Sequence, residues 1–101
     1  MLRTFRADLH IHSCLSPCGD EEMRPRAVVN QALAMGLDMI AICDHNSAEN
    51  IAAFMSAGSK KGLTVLPGME VTSREEIHLL ALFDRREDCI TLQDLIYQNL
   101  P

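Results

Sequence analysis

Long apolar runs, internal repeats and an excess of positive charge are all missing from this sequence. No hydrophobic stretch approaches the roughly 18 residues of a membrane span, and the first residues do not follow a secretory signal pattern. A membrane protein is therefore excluded at this stage and a cytoplasmic one is expected. Lys and Arg number 9 against 14 Asp and Glu, a formal charge of −5. That balance disfavours broad binding to nucleic acid or anionic membrane, but it leaves room for an acidic cluster neutralised by cations. Cysteines are few: Cys14, Cys18, Cys43 and Cys89. In a cytosolic chain they read as thiols or ligands rather than disulfides. What is present is ordinary for a globular protein, 48% apolar and 23% charged residues, and 101 residues allow at most one small domain.

The most informative stretch is Ala7-Asp8-Leu9-His10-Ile11-His12-Ser13. Leu9 and Ile11 alternate with polar residues, the period of a β-strand. Side chains two apart on a strand share a face, so His10 and His12 project together from roots roughly 7 Å apart. Two parallel imidazoles make a ready chelate for zinc, iron and similar ions. Asp8, on the same side, is placed to take the spare N–H of one ring and fix its tautomer.

The first strand is expected over Phe5 to His12, followed by a turn-rich loop from Ser13 to Met23. Pro25 suits the first turn of a helix with an apolar stripe of Val28, Val29, Ala32, Leu33 and Met35, stopped at Gly36. Asp38 to Cys43 reads as a strand buried on both faces. Ser47 can cap a second helix running to about Lys61, with Gly62 behind it. Leu63 to Leu66 forms a third strand ending in Pro67-Gly68-Met69-Glu70, Glu76 to Phe83 a fourth, and Thr91 opens a last helix through Tyr97.

Helical crossovers between the first three strands imply a parallel sheet and an α/β fold. In such folds functional groups collect beyond the carboxyl ends of the strands. His10 and His12 fall late in strand one, Asp44 and His45 after strand two, and Glu70 after strand three. A random placement would scatter them over both ends.

These residues, Asp-Leu-His10-Ile-His12-Ser, Asp44-His45-Asn, Gly68-Met-Glu70-Val and Glu76-Ile-His78, resemble the successive motifs of the PHP (polymerase and histidinol phosphatase) metal-dependent phosphoesterases. The likeness covers about Arg6 to Phe83. It implies the N-terminal part of a distorted (β/α)7 barrel, with two to three divalent ions (zinc, manganese or iron) at its carboxyl end. Carried over, His10 and His12 hold one metal, Glu70 bridges it to a second bound by His78, and His45 helps hold a third. Asp44 resembles an outer partner more than a ligand. The family's acidic or histidine ligand after the first motif falls on Cys18 or Asp20, of which Asp20 is preferred.

The resemblance also implies a partial domain. A complete member is about twice as long and adds an Asp-X-His pair and further histidines, and no histidine follows His78 here. Four strands leave an open edge and a half-covered core. The expectation is therefore residues 1–101 of a partial PHP domain, completed by a longer chain, a partner or a homo-oligomer. Leu92, Leu95, Ile96, Tyr97 and Leu100 would offer apolar surface for pairing.

An intact centre of this kind hydrolyses a phosphate ester with a metal-activated water, on a phosphorylated small molecule or nucleotide. Glu70 would serve that chemistry as bridging carboxylate. Arg74, four residues on, either contacts the phosphate or is simply an exposed loop arginine. The alternative is a non-catalytic relative that binds metal or phosphate as an interaction module. Cys14 and Cys18 admit a Cys–His zinc site, but Cys-X3-Cys is a loose signal with no second pair. Cys43 reads as a small core residue and Cys89 as incidental.

Overall fold

The computed structural model describes residues 2–13 and 24–99. Cys14, Cys18, Asp20 and Leu100 lie outside the described residues. The order of elements is β1 (Ala7–Ile11), α1 (Pro25–Ala34), β2 (Met39–Ile42), α2 (Ile51–Lys61), β3 (Thr64–Thr72), β4 (His78–Leu82) and α3 (Arg86–Asn99). The expected α/β architecture is present. One sheet runs in the order β1-β2-β3-β4, with β1, β2 and β3 parallel. Helices α1 and α2 are the crossovers. The turn from β3 to β4 is too short for one, so β4 runs antiparallel to β3.

Two apolar clusters hold the helices to one face of this sheet. In the first, Val29 and Ala32 of α1 and Phe54 of α2 meet Ile40, Ile42, Leu63 and Val65. In the second, Ala48, Ile51, Met69 and Cys89 bring α3 against β3. Odd-numbered residues of β3 therefore face the helices. Even-numbered ones, Gly68, Glu70 and Thr72, face the opposite side. Gly62 ends α2 in the left-handed region, φ +79, where a side chain would be strained.

Several boundaries differ from the sequence reading. Strand β3 does not stop at Leu66 but continues to Thr72, so Glu70 lies on a strand rather than in a loop beyond one. Pro67 is tolerated because its carbonyl accepts from Phe83, just past the end of β4. The N–H it lacks would point the same way, beyond the ladder. Helix α2 starts at Ile51, and Ser47 does not cap it: its Oγ accepts from the N–H of Glu49 and the O–H of Tyr97. Helix α3 starts at Arg86, five residues before Thr91, with Glu87 and Asp88 in its first turn. Cys89 is not incidental. It is fully buried and its thiol donates to the Gly68 carbonyl. Cys43 is buried as expected, and burial pushes its thiol up to about 12 and that of Cys89 to about 11.

Both edges of the sheet carry exposed apolar side chains. On and beside β4 these are Ile77, Leu79, Leu80 and Leu82, and on β1 Leu9. A groove of about 700 Å³ runs along β1 between Leu9, Ile11, Val28, Met35, Leu37 and Leu80. No described helix is long and apolar enough to cross a membrane.

Candidate metal centre

Four of the predicted residues sit at the carboxyl ends of the parallel strands, and the fifth is delivered by the antiparallel one. Strand β1 carries His10, and its pairing with β2 becomes irregular between Asp8 and Ile11. His12 follows immediately. The two ring centroids are 5.0 Å apart, and the His12 ring stacks on His45 at 4.7 Å. His45 lies just past β2 and forms an isolated parallel bridge with Glu70. On β4, His78 enters in register opposite Thr72 and so shares a face with Glu70.

All four imidazoles converge on the Glu70 carboxylate, which is 5% exposed although its partners are open to solvent or half-buried. Oε1 contacts Nε2 of His10 and lies 3.3 Å from Nε2 of His12. Oε2 lies 2.7 Å from Nδ1 of His78 and 3.4 Å from Nδ1 of His45. Glu70 thus belongs to two donor groups, His10/His12/Glu70 and His45/Glu70/His78, each with its ligand atoms within 4.8 Å of one another. The backbone fixes Glu70 as firmly as its side chain does. Its N–H donates to the Asp44 carbonyl at 3.0 Å, and its carbonyl accepts from Asn46 at 2.9 Å.

The electrostatics prepare both kinds of ligand. Burial, helped by the neighbouring His45, lowers the pKa of His12 and keeps its ring neutral. Burial alone would raise the pKa of Glu70. Hydrogen bonds from His10 and His78 and the nearby His45 outweigh it, and the carboxyl ends below its usual range.

This donor set suits a divalent ion. Nitrogen and carboxylate oxygen without thiolate fit the borderline metals. Ligands at about 2.0–2.1 Å around a four-coordinate ion stand roughly 3.3 Å from one another. Nε2 of His12 lies 3.2 Å from Nε2 of His10 and 3.3 Å from Oε1 of Glu70.

One expectation needs correction. Asp8 does not orient a ring: its Oδ1 accepts the backbone N–H of His10 at 3.1 Å. Nδ1 of His45 shares Oε2 of Glu70 with His78. Arg74 is exposed on the turn between β3 and β4, outside both donor groups. Asp44 is buried and belongs to neither group, and both its oxygens accept from Ser13. Ser13, Asn46 and Thr72 had no assigned role, yet their hydrogen bonds frame the cluster. The available signal was Ser and Asn directly after ligand positions, since short polar side chains readily bond nearby backbone.

A sheet with a histidine–glutamate cluster at the carboxyl ends of its parallel strands defines a metal-binding α/β domain. Residues 8–98 match the model of the PHP domain, and the chain belongs to that family. It is 32% identical over 92 residues to a 5′-3′ exoribonuclease of Haemophilus influenzae, covering 87% of this chain and 32% of the relative. It is 31% identical over 78 residues to a 3′,5′-nucleoside bisphosphate phosphatase of Chromobacterium violaceum, covering 74% and 26%. Among solved structures, a protein of Bifidobacterium adolescentis provisionally described as a metal-dependent phosphoesterase superposes with a TM-score of 0.74 at 26% identity, covering 95% of this chain and 33% of that one. An amidohydrolase of Chromobacterium violaceum, solved with bound sulfate and no metal, gives 0.70 at 25% identity, covering 93% and 34%. The chain therefore spans about a quarter to a third of the length of these relatives.

Proposed function

We propose that this chain supplies the first ligands of a metal-dependent phosphoesterase centre, acting on a phosphorylated small molecule or nucleotide. The observation that carries this reading is the division of Glu70, one oxygen toward His10 and His12 and the other toward His45 and His78. Divalent ions such as zinc, manganese or iron, two to three in a complete centre, would activate water and neutralise phosphate charge when bound. His10 and His12 would hold one ion and His45 and His78 another, with Glu70 shared between them. Asp20, outside the described residues, is proposed as a further ligand.

The protein's own groups are suited to these roles. His12 stays neutral and keeps a lone pair free for a ligand bond near neutral pH. Glu70 stays ionised, so its two oxygens are available together. Rings of His10 and His78 are about half exposed, leaving the cluster open to a substrate from solvent. Arg74 is proposed as a phosphate contact, reaching from the exposed turn four residues after Glu70. The sulfate bound by the Chromobacterium violaceum neighbour, a tetrahedral anion like phosphate, supports an anion-binding reading of the fold.

Elemental analysis of the purified chain with a manganese-dependent assay on a generic phosphate ester tests the proposal. Bound metal that is lost in His12→Ala is the expected result. Because the chain spans about a quarter to a third of its relatives, it is expected to hold part of the cluster and to turn over little or nothing alone. Metal-free protein under all loading conditions would overturn the reading. Metal retained with no turnover, even when the rest of a PHP barrel is supplied, would favour a binding module.

A further inference from the structure

We infer that the Asp44-His45-Asn46 tripeptide is a two-sided staple that sets the two donor groups separately: Asp44 positions the His10/His12 group through Ser13, and Asn46 positions the His45/His78 group through Thr72. The inference rests on the metal-centre reading and adds residues that belong to neither donor group.

On one side Asp44 is 2% exposed and each of its carboxylate oxygens accepts from Ser13, itself fully buried. Oδ1 accepts the Ser13 N–H at 2.6 Å and Oδ2 accepts the Ser13 hydroxyl. Ser13 is the chain neighbour of His12. The β1–β2 ladder has ended at Ile11, whose carbonyl takes the N–H of Cys43. Past that point the carboxylate extends the connection from the end of β2 to the end of β1, across the residue that carries the ligand. Hydrogen bonds to a buried charge are about twice as strong as neutral ones, so the tether is stiff.

On the other side Asn46 adopts φ +52, a left-handed conformation that Asn enters more readily than most residues. There its N–H reaches the Glu70 carbonyl and its Oδ1 accepts the Thr72 N–H at 3.1 Å. Thr72 pairs in register with His78, and its Oγ1 stands 3.4 Å from Nδ1 of that ring. Asn46 therefore connects His45 to the end of β3, against which β4 presents His78. The central residue of the tripeptide is a donor, and its two neighbours fasten the strands on either side.

The test compares Asp44→Asn and Asn46→Gly with the unaltered chain, using amide hydrogen exchange without metal and residue-resolved imidazole NMR during zinc addition. Asp44→Asn is expected to speed exchange of the Ser13 amide. It should weaken the zinc response of His10 and His12 about tenfold or more, in the range seen for partners of metal ligands, and leave that of His45 and His78 within about twofold. Asn46→Gly keeps the left-handed backbone and removes the acceptor. It should reverse the pattern, with faster exchange at Thr72 and a weaker response at His45 and His78. Asn46→Asp, which retains an acceptor oxygen, should restore the Thr72 protection. If Asp44→Asn does not fold, Ser13→Ala removes the hydroxyl donor and should give the same selectivity more weakly. Equal loss at all four histidines in folded variants, or unchanged protection of Ser13 and Thr72, would overturn the staple. Absence of any zinc response in the unaltered chain would instead sink the metal reading, and the exchange measurements would still decide the tether.

Discussion

The Nε2 atoms of His10 and His12 lie 3.2 Å apart. Two neutral rings hold that distance when one donates its proton to the other or when a cation sits between them. Two charged rings repel. The pair is therefore sensitive to acid, and His12 is its more buried member.

Acid should destabilise the metal-free protein. His12 titrates below its ordinary 6.5 because of burial and then His45. Glu70 titrates below its ordinary 4.5, its histidine hydrogen bonds and His45 outweighing the opposite effect of burial. For both groups the unfolded chain binds more protons than the folded one. The stability they contribute is present in full above pH 6.5, declines as His12 takes up a proton, and falls again below 4.5 as Glu70 does. Thermal melts across this range should show the midpoint falling toward acid, and a His12 imidazole resonance titrating at or above 6.5 would contradict the assignment.

Glu70→Gln keeps the shape of the bridging residue and removes its charge. Even partners of ligands change metal affinity about 10–100-fold, so a carboxylate facing both donor groups should cost at least about 100-fold. Calorimetric zinc binding measures the loss. The fold should survive, because the amide still offers the rings an acceptor and a donor. Undiminished zinc affinity in this variant would show that Glu70 is not a ligand.

The element order was legible in the sequence because it rests on local patterns: the alternation around His10, the apolar run from Met39 to Ile42, and Gly62 after Lys61. The extent of β3 was not. Pro67-Gly68 looks like a terminator until β4 is seen to end opposite it, with Gly68 giving room to Cys43 and Leu82. At the site, the shared face of His10 and His12 follows from strand periodicity alone. The union of His45 with His78 depends on two registers, His45 beside Glu70 and His78 opposite Thr72, and neither is written in local sequence.

Gly58→Ala sets two known effects against each other. Alanine in the middle of α2 gains about 1 kcal/mol of helix propensity. At this site, however, an added Cβ would stand 2.6 Å from Cγ2 of Val65 and 2.7 Å from the Leu63 carbonyl oxygen. A rotamer change relieves the first clash but not the second, which involves backbone. Overpacking costs about 1–3 kcal/mol, so the clash should win and the variant should be less stable than its parent. Urea denaturation followed by circular dichroism gives the sign, and a gain in stability would mean that α2 is not packed this closely on β3.

Strand β4 should make the isolated chain associate. It is an edge strand, and Leu79 is 61% exposed on one face while Leu80 and Leu82, opposite Glu70 and Gly68, are 45% and 41% exposed on the other. An edge that is apolar on both faces invites pairing with a second copy or with whatever segment completes the barrel. Size-exclusion chromatography with light scattering should show a mass that rises with concentration. Leu79→Lys places a charge on the face away from the histidine cluster and should lower that mass while leaving zinc binding unchanged. A chain that stays monomeric and folded at about millimolar concentration, a range where weak contacts are populated, would show that the exposed sheet needs no cover.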